Sequence, residues 1–292
     1  MRVLSLFDGI SCGRVALEEL GLKIDYYEAY EIDDNAIKVA LHNYPDIVEK
    51  GNVFDAKYTE DSFDLLMGGS PCTYWSIAKA GSGRETTASG VGFDLFKEYV
   101  RALREVKPKW FLYENNASMS EDIKKAITKE LGVEPIFIDS ADFSAQNRKR
   151  LYWTNIPVDK NWTKSTLVFK DIEFDFEYKE VDMSMYKDTL RVSKDGTYFS
   201  WDSSGKGYYS QHARARSKDI KMNTLTTGSG KNNIWLGNYK YRRLHPVEAE
   251  RLQMLPDNYT ACLTSKDKRI SACGNGWTVS VIKHIFSYLT TL

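Results

Sequence analysis

The residues best suited to covalent chemistry are a thiol and a carboxyl: Cys72 in "GGSPCTYWS" (68–76) and Glu114 in "KWFLYEN" (109–115). Cys72 follows a Gly-Gly turn and a proline, and precedes a long polar, glycine-containing stretch (73–92). A cysteine so placed can be a nucleophile on a mobile segment. The competing role is a small buried core residue, the commoner fate of an isolated cysteine. Glu114 lies on an otherwise apolar run, where a carboxylate is costly without a partner. A thiol and an acid at neighbouring strand ends suit covalent addition to a heterocycle, with the acid protonating a ring nitrogen. "FDGISCG" (7–13) adds a strand-to-helix turn whose glycines let backbone approach a ligand, although an ordinary turn fits it equally well. Glu31, in "YYEAYEID" (26–33), can bind the two hydroxyls of a ribose or be a surface carboxylate.

The elements that must position these residues alternate in type. "RVLSLF" (2–7), 26–33, "FDLLMGGS" (63–70), 109–115, "PIFIDS" and "RLYWTNI" read as strands. Between them "SCGRVALEELGL", "DDNAIKVALHNY", "LFKEYVRALREV" and "SEDIKKAITKELG" read as helices, the last capped by Ser120 and stopped by Gly132. Such alternation implies an α/β fold built on a mostly parallel sheet, with ligands at the carboxyl ends of its strands. From 156 to 238 the helical period fades and turn-rich, β-leaning stretches take over, so this segment reads as a small insert. Clear helix resumes at 242–256 and again at 274–289.

Composition narrows the classes. The chain has 292 residues with Lys+Arg and Asp+Glu at 40 each, so nucleic-acid binding must come from local basic patches. The longest apolar runs are strand-sized, which leaves no membrane span, and the N-terminus lacks a signal peptide's apolar core. A cytoplasmic location is expected. Four scattered cysteines and four scattered histidines give no disulfide framework and no metal-ligand spacing.

Eight stretches, in order and over nearly the whole chain, resemble the motifs of the DNA (cytosine-5) methyltransferases, in a compact microbial or phage form. "LSLFDGISCG", "YEID" and "GNV" (51–53) are similar to the three cofactor motifs. "GGSPCTYWS" resembles the Pro-Cys motif, "ENN" (114–116) the Glu-Asn-Val motif, and "QNRKRLYW" (146–153) the Gln-x-Arg-x-Arg motif. "RRLHPVEAERLQMLPDNYT" (242–260) and "GNGWTV" (274–279) resemble the last two. The resemblance implies a Rossmann-like methyltransferase domain, discontinuous over 1–155 and 239–292, with a loop-rich target-recognition domain at 156–238.

It also implies roles. Cys72 attacks carbon 6 of a cytosine extruded from double-stranded DNA, because ring carbons are inaccessible within the stack. Glu114 engages N3 and the exocyclic amine, Arg150 holds O2, and Arg148 helps position the cysteine or the backbone. S-adenosyl-L-methionine is the implied cofactor, with Phe7 at its adenine, Glu31 at its ribose and Asn275 closing its pocket. Asp8, Gly9, Ile10, Gly13, Ile32, Asn52, Val53, Ser70, Pro71 and Trp277 complete the implied cofactor residues. For DNA, the residues expected to meet phosphates or base edges are Ser76, Lys206, Gln211, Arg214, Arg216, Thr224, Lys231, Arg242 and Arg243. No metal is implied, a monomer is the expected state, and the partner enzyme would be a cognate restriction endonuclease if the chain is not an orphan.

Three positions depart from the family pattern. Asn52 stands where Asp is usual and keeps an acceptor oxygen without the charge. Asn116 stands where Val is usual, and a buried amide there needs a partner. Bonding to neighbouring backbone or water is the leading reading; the sharper one is a modified donor, such as one carrying a carboxylate on the transferred carbon. Thr73 replaces the usual Gln or Asn after the cysteine. Two rival functions compete with DNA methylation: the same chemistry on tRNA cytosine, and DNA binding by a catalytically silent protein.

Overall fold

The computed structural model describes residues 1–76, 83–201, 209–228 and 232–289. The chain forms two compact units. The first comprises Met1–Asp139, Lys149–Trp162 and Val279–Leu292, and the second Ser140–Arg148 and Thr163–Thr278.

The first unit carries strands β1 (Arg2–Leu6), β2 (Tyr26–Tyr30), β3 (Val48–Glu49), β4 (Leu65–Gly68), β5 (Trp110–Asn116), β6 (Ile136–Asp139) and β7 (Lys149–Thr154). Its helices are α1 (Cys12–Glu19), α2 (Asp34–Asn43), α3 (Val91–Val106) and α4 (Glu121–Leu131), with a further helix at Val279–Phe286. Local chemistry sets their ends. The Asp33 carboxylate accepts from the Asn35 and Ala36 amides to start α2, Ser120 caps α4, and Gly132 ends it at φ 70°.

The strands form one seven-stranded sheet in the order β3-β2-β1-β4-β5-β7-β6. Neighbours run parallel except at β7, which is antiparallel to both β5 and β6. The expected α/β, Rossmann-like sheet is therefore present, mostly parallel with one reversed strand. From β1 the chain builds outward through β2 and β3, then returns to place β4 on β1's other side. That reversal opens a crevice at the carboxyl ends of β1 and β4, where ligands of such sheets bind. The register sets Glu114 opposite Tyr152 and Asn116 opposite Arg150.

The core beneath the crevice is aromatic. Tyr113 stands 5.1 Å from Phe96, 4.9 Å from Tyr99 and 5.9 Å from Trp153, ring centre to ring centre. Close packing there requires a bare backbone at Gly68, since an added Cβ would lie 2.6 Å from the Leu6 carbonyl oxygen.

The second unit holds β8 (Val181–Asp182), β9 (Leu190–Val192), β10 (Thr197–Trp201), β11 (Tyr209–Ser217), β12 (Asn233–Gly237) and β13 (Lys240–Arg243), with α5 (Pro246–Leu252) and α6 (Lys266–Asn275). Its sheet order is β8-β13-β12-β11-β10-β9. The domain boundary expected at 238/239 falls inside the β12–β13 hairpin, where Ile234 pairs with Arg242. Residues 239–278 thus belong to the second unit and not, as the sequence suggested, to the first. The hairpin pairing holds its first residues there, and bonds from Arg242 and Arg251 to Ile172 and Glu173 and from Gln253 to the Cys273 carbonyl hold the helices that follow.

Candidate active site

At the end of β1 the chain turns sharply. Phe7, Gly9 and Ser11 all take positive φ, near 58–59°; this costs a non-glycine residue roughly 1–3 kcal/mol and persists only where its surroundings enforce it. Here Asp8 enforces it. Its carboxylate accepts from Ser5 Oγ at 2.5 Å, from Tyr27 Oη at 2.6 Å and from Ser11 Oγ. Burial raises the Asp8 carboxyl above the ordinary aspartate value, and the hydroxyl bonds offset this only in part. Asp8, expected at the cofactor, spends its side chain bracing the loop. Ile10, Gly13 and Val53 are buried, whereas Phe7 and Gly9 are half-buried.

Glu31 latches the neighbouring strand end to this loop. One carboxylate oxygen accepts from the Gly9 amide at 2.8 Å, and the other from the Ile32 and Asp33 amides at 2.7 and 2.9 Å. A carboxylate has about four acceptor sites, so the oxygen facing Gly9 retains capacity for a hydroxyl. Glu49 repeats the device one strand further out, accepting from the amides of Glu31, Lys50 and Gly51. Burial raises its carboxyl as well. Sequence reading missed Glu49; its position just before "GNV" was the available signal. Asn52 Oδ1 accepts from the Phe54 amide and caps the short turn Val53–Asp55. An amide oxygen serves that cap without a charge. Ile32 and Phe54 are large apolar side chains 73% and 53% exposed beside these polar anchors. Phe54 was also missed, because an exposed aromatic after a turn has no distinctive pattern.

Past β4, Ser70 Oγ and Tyr113 Oη are 2.7 Å apart, and Asn115 Nδ2 donates to the Ser70 carbonyl at 3.0 Å. These bonds tie the approach to the thiol onto β5, while burial pushes the Tyr113 phenol up. Exposed Pro71 leads into a single 3-10 turn, Cys72–Tyr74, in which Cys72 is half-buried and Thr73 exposed. The Cys72 carbonyl accepts from the Trp75 and Ser76 amides at 3.1 and 3.0 Å. Asn116 Nδ2 reaches the same carbonyl at 3.5 Å. This contact brings the thiol's turn to the end of β5, where Glu114 Oε1 pairs with Arg150 Nε at 2.7 Å. Both side chains of that pair are 11% exposed, and Arg150 Nη1 is held by the Lys149 carbonyl at 2.9 Å.

Asn116 is occupied by its neighbours. Its amide nitrogen also donates to Asn115 Oδ1 at 3.1 Å, and its oxygen accepts from Ser118 N at 3.1 Å and Ser118 Oγ at 2.6 Å. It has the backbone and side-chain partners that the leading sequence reading required.

Arg148 falls in the second unit. Its guanidinium donates to the carbonyls of Leu225, Gly274 and Gly276 at 3.4, 3.2 and 2.9 Å. That guanidinium braces the backbone of the 274–276 turn, which is the backbone alternative of its expected role. In the same unit Asn275 is exposed at the end of α6 and Trp277 is half-buried in the following turn.

Two of the expected DNA contacts are corrected. Arg242 is 0% exposed and bonds to Glu248 at 2.7 and 2.9 Å and to Glu173 at 3.0 Å. Arg216, also buried, bonds to Asp195, Thr197, Asn223 and the Lys221 carbonyl. Neither can present its charge to a phosphate without breaking a buried network. Thr224 donates its hydroxyl to the Asn147 carbonyl at 2.7 Å. Arg243 is exposed, Arg214 half-exposed, and Ser76 half-buried beside the Cys72 turn. Lys206 and Lys231 lie outside the described residues, as does the side chain of Gln211. Among the described residues no group of His, Cys, Asp and Glu has the arrangement of a metal site, and no helix is long and apolar enough to cross a membrane.

Comparison with known proteins places this arrangement. A family model for C-5 cytosine-specific DNA methylase matches residues 1–201 and 182–291. The orphan methyltransferase M.SPRI of Bacillus phage SPR is 32% identical over 197 residues, which are 63% of this chain but 42% of that protein. Thus the match spans less than half the length of this phage relative. The type II methyltransferase M.Bsp6I of Bacillus sp. (strain RFL6) is 26% identical over 98% of this chain and 97% of its own. Among solved structures, the Entamoeba histolytica methyltransferase EhMeth superposes with a TM-score of 0.70 at 15% identity, covering 99% of this chain and 97% of that one. That likeness concerns the fold alone.

Proposed function

The chain belongs to the C-5 cytosine-specific DNA methylase family, and on that premise we propose that it methylates carbon 5 of an extruded cytosine in double-stranded DNA through a covalent Cys72 adduct. The observation that carries this reading is the contact of the Cys72 turn with Asn116 at the end of β5, two residues past the Glu114 that pairs with Arg150. The donor, S-adenosylmethionine when bound, supplies an electrophilic methyl group on a sulfonium. The crevice suits such a ligand: Glu31 has acceptor capacity for a ribose hydroxyl, and the exposed Ile32 and Phe54 offer apolar cover for an adenine. Occupied by its neighbours, Asn116 supports the unmodified donor over one carrying a carboxylate.

In this mechanism the Cys72 thiolate forms a bond to C6 of the cytosine, and the C5–C6 electron pair moves onto the ring. Glu114 delivers a proton to N3, so the ring carries no net negative charge. Arg150 fixes the Glu114 carboxyl through Nε and leaves its outer Nη2 for the cytosine O2. With the donor bound, carbon 5 would take the methyl group with that electron pair while the methyl–sulfur bond breaks, its pair staying on the sulfur of the departing neutral thioether. Its proton then leaves to water, the freed pair restores the C5–C6 double bond, the Cys72–C6 bond breaks, and N3 returns its proton to Glu114. Extrusion of the base is required for the thiol to reach C6 at all. Arg243, Arg214 and Ser76, with Lys206, Gln211, Thr224 and Lys231, remain proposed DNA contacts. The phage and bacterial origins of the relatives support action in a bacterial or phage-infected cell, either as an orphan or beside a restriction enzyme.

The test uses radiolabelled S-adenosylmethionine with duplex DNA and with tRNA, for the wild type and Cys72→Ser. Label in DNA that depends on Cys72 supports the reading. Label in tRNA alone, or in neither, overturns it.

A further inference from the structure

The turn bearing Cys72 is held from behind by two consecutive residues that no step above uses. Trp75, at the far end of that turn, is 0% exposed. Glu85 N–H donates to the Tyr74 carbonyl at 2.9 Å, and Arg84 Nε donates to the Trp75 carbonyl at 3.0 Å. The indole Nε1–H of Trp75 donates to Glu85 Oε2 at 3.1 Å. The other carboxylate oxygen accepts from the Gly92 amide at 3.3 Å, in the first turn of α3. Arg84 also donates to the Ser118 carbonyl just past β5. Because Trp75 and Ser76 both bond back to the Cys72 carbonyl, fixing Trp75 fixes the thiol's backbone.

Two glycines make room for this arrangement. An added Cβ at Gly90 or Gly92 would lie 2.6 or 2.7 Å from the Glu85 carboxylate, and at Gly92 also 2.8 Å from Trp75 Nε1. Gly90, at φ 89°, is the N-cap of α3 and offers no side-chain cap. Glu85 therefore supplies the cap from outside the helix, where the helix N-terminus favours a negative charge. Its acceptor capacity is shared between that cap and the indole behind the nucleophile.

We propose that Glu85, backed by Arg84, is a positioning residue that sets the Cys72 thiol for attack by clasping Trp75 to the N-terminus of α3. This rests on the reading of Cys72 as a nucleophile. A displacement near 1 Å at a reacting centre costs about 10²-fold in rate, so loosening the turn should act on adduct formation and not on donor binding.

The experiment measures single-turnover trapping on duplex DNA containing 5-fluorocytosine, with donor affinity followed by calorimetric titration of S-adenosylmethionine. Glu85→Ala is expected to slow trapping by about 10²-fold with donor affinity unchanged. Glu85→Gln, which keeps only one of the two acceptor oxygens that the clasp uses, falls between Glu85→Ala and the wild type. Trp75→Phe, which removes the same indole donor, slows trapping without adding to the loss in a double variant. A lower melting temperature with wild-type trapping in Glu85→Ala would mean that Glu85 is only a helix cap, and the proposal falls. If the wild type itself traps no DNA, the functional reading fails separately. Iodoacetamide labelling of Cys72, read by peptide mass spectrometry, then judges the clasp: faster labelling in Glu85→Ala supports it and equal labelling overturns it.

Discussion

Arg242 and Arg243 are adjacent arginines with opposite fates, and exchanging each for methionine should separate stability from DNA contact. The Arg242 side chain is 0% exposed and so is that of its partner Glu248. Removing the guanidinium strands a buried carboxylate, which costs about 3–5 kcal/mol in comparable pairs. Glu248 keeps bonds from the His245 and Phe174 amides at 2.9 and 3.2 Å, which favours the lower half of that range. At about 2–4 °C per kcal/mol for a chain near this size, Arg242→Met should lower the melting temperature by roughly 6–16 °C. Adding Glu248→Gln should recover part of the loss, because the stranded charge is then gone. Arg243→Met should change stability by no more than about 0.5 kcal/mol. If Arg243 meets a phosphate, its loss lowers the slope of log K against log salt by about 0.9. Differential scanning calorimetry and DNA titrations over a salt series give both quantities. An Arg242→Met protein that melts like the wild type and loses one phosphate's worth of salt dependence would refute the reasoning.

Other consequences follow from the crevice and its core. Gly68→Ala forces a Cβ to within 2.6 Å of the Leu6 carbonyl oxygen, and should destabilise the first unit by about 1–3 kcal/mol in urea unfolding. Asp8 has a folded-state value raised above 3.8 by burial, so the folded form holds its proton to higher pH than the unfolded chain does. Its contribution to stability is then greatest below 3.8 and is lost as pH rises through the raised value. Relative to Asp8→Asn, the wild type should lose stability as the pH rises above 3.8 and through the raised value, by denaturant midpoints. Asn116→Val removes bonds to Ser118, Asn115 and the Cys72 carbonyl and should cost about 1–3 kcal/mol. Mass spectrometry of the DNA product should still find 5-methylcytosine.

The sheet and the thiol's location were legible in the sequence because both depend on local pattern. Apolar runs ending in Phe7-Asp8-Gly9, Glu31, Ser70-Pro71-Cys72 and Glu114-Asn115 announce strand ends, and strand ends are where the crevice forms. The reversal of β7 was not legible, since "RLYWTNI" has the same apolar content whichever way it runs. Arg242 and Arg216 read as surface charges because their partners are distant: Glu173 lies 69 residues before Arg242, and Asp195 21 before Arg216. Arg148 shows the same effect, with its carbonyl partners 77 to 128 residues away. The boundary at 238/239 was misplaced because helical periodicity returns at 242, whereas the strand pairing and side-chain bonds that hold this segment in the second unit leave no such trace. Glu85 went unnoticed for a different reason: its role depends on two glycines leaving space, and an unfilled volume has no signature in a residue string.

The central claim is a covalent bond between Cys72 and carbon 6 of cytosine. Its most direct test is the intact mass, under denaturing conditions, of the protein incubated with S-adenosylmethionine and duplex DNA bearing 5-fluorocytosine, followed by peptide mapping. The account predicts a one-to-one adduct that maps to Cys72, carries the transferred methyl group and is absent in Cys72→Ser. An adduct on Cys262 or another thiol, or cytosine methylation by Cys72→Ser at the wild-type rate, would contradict it.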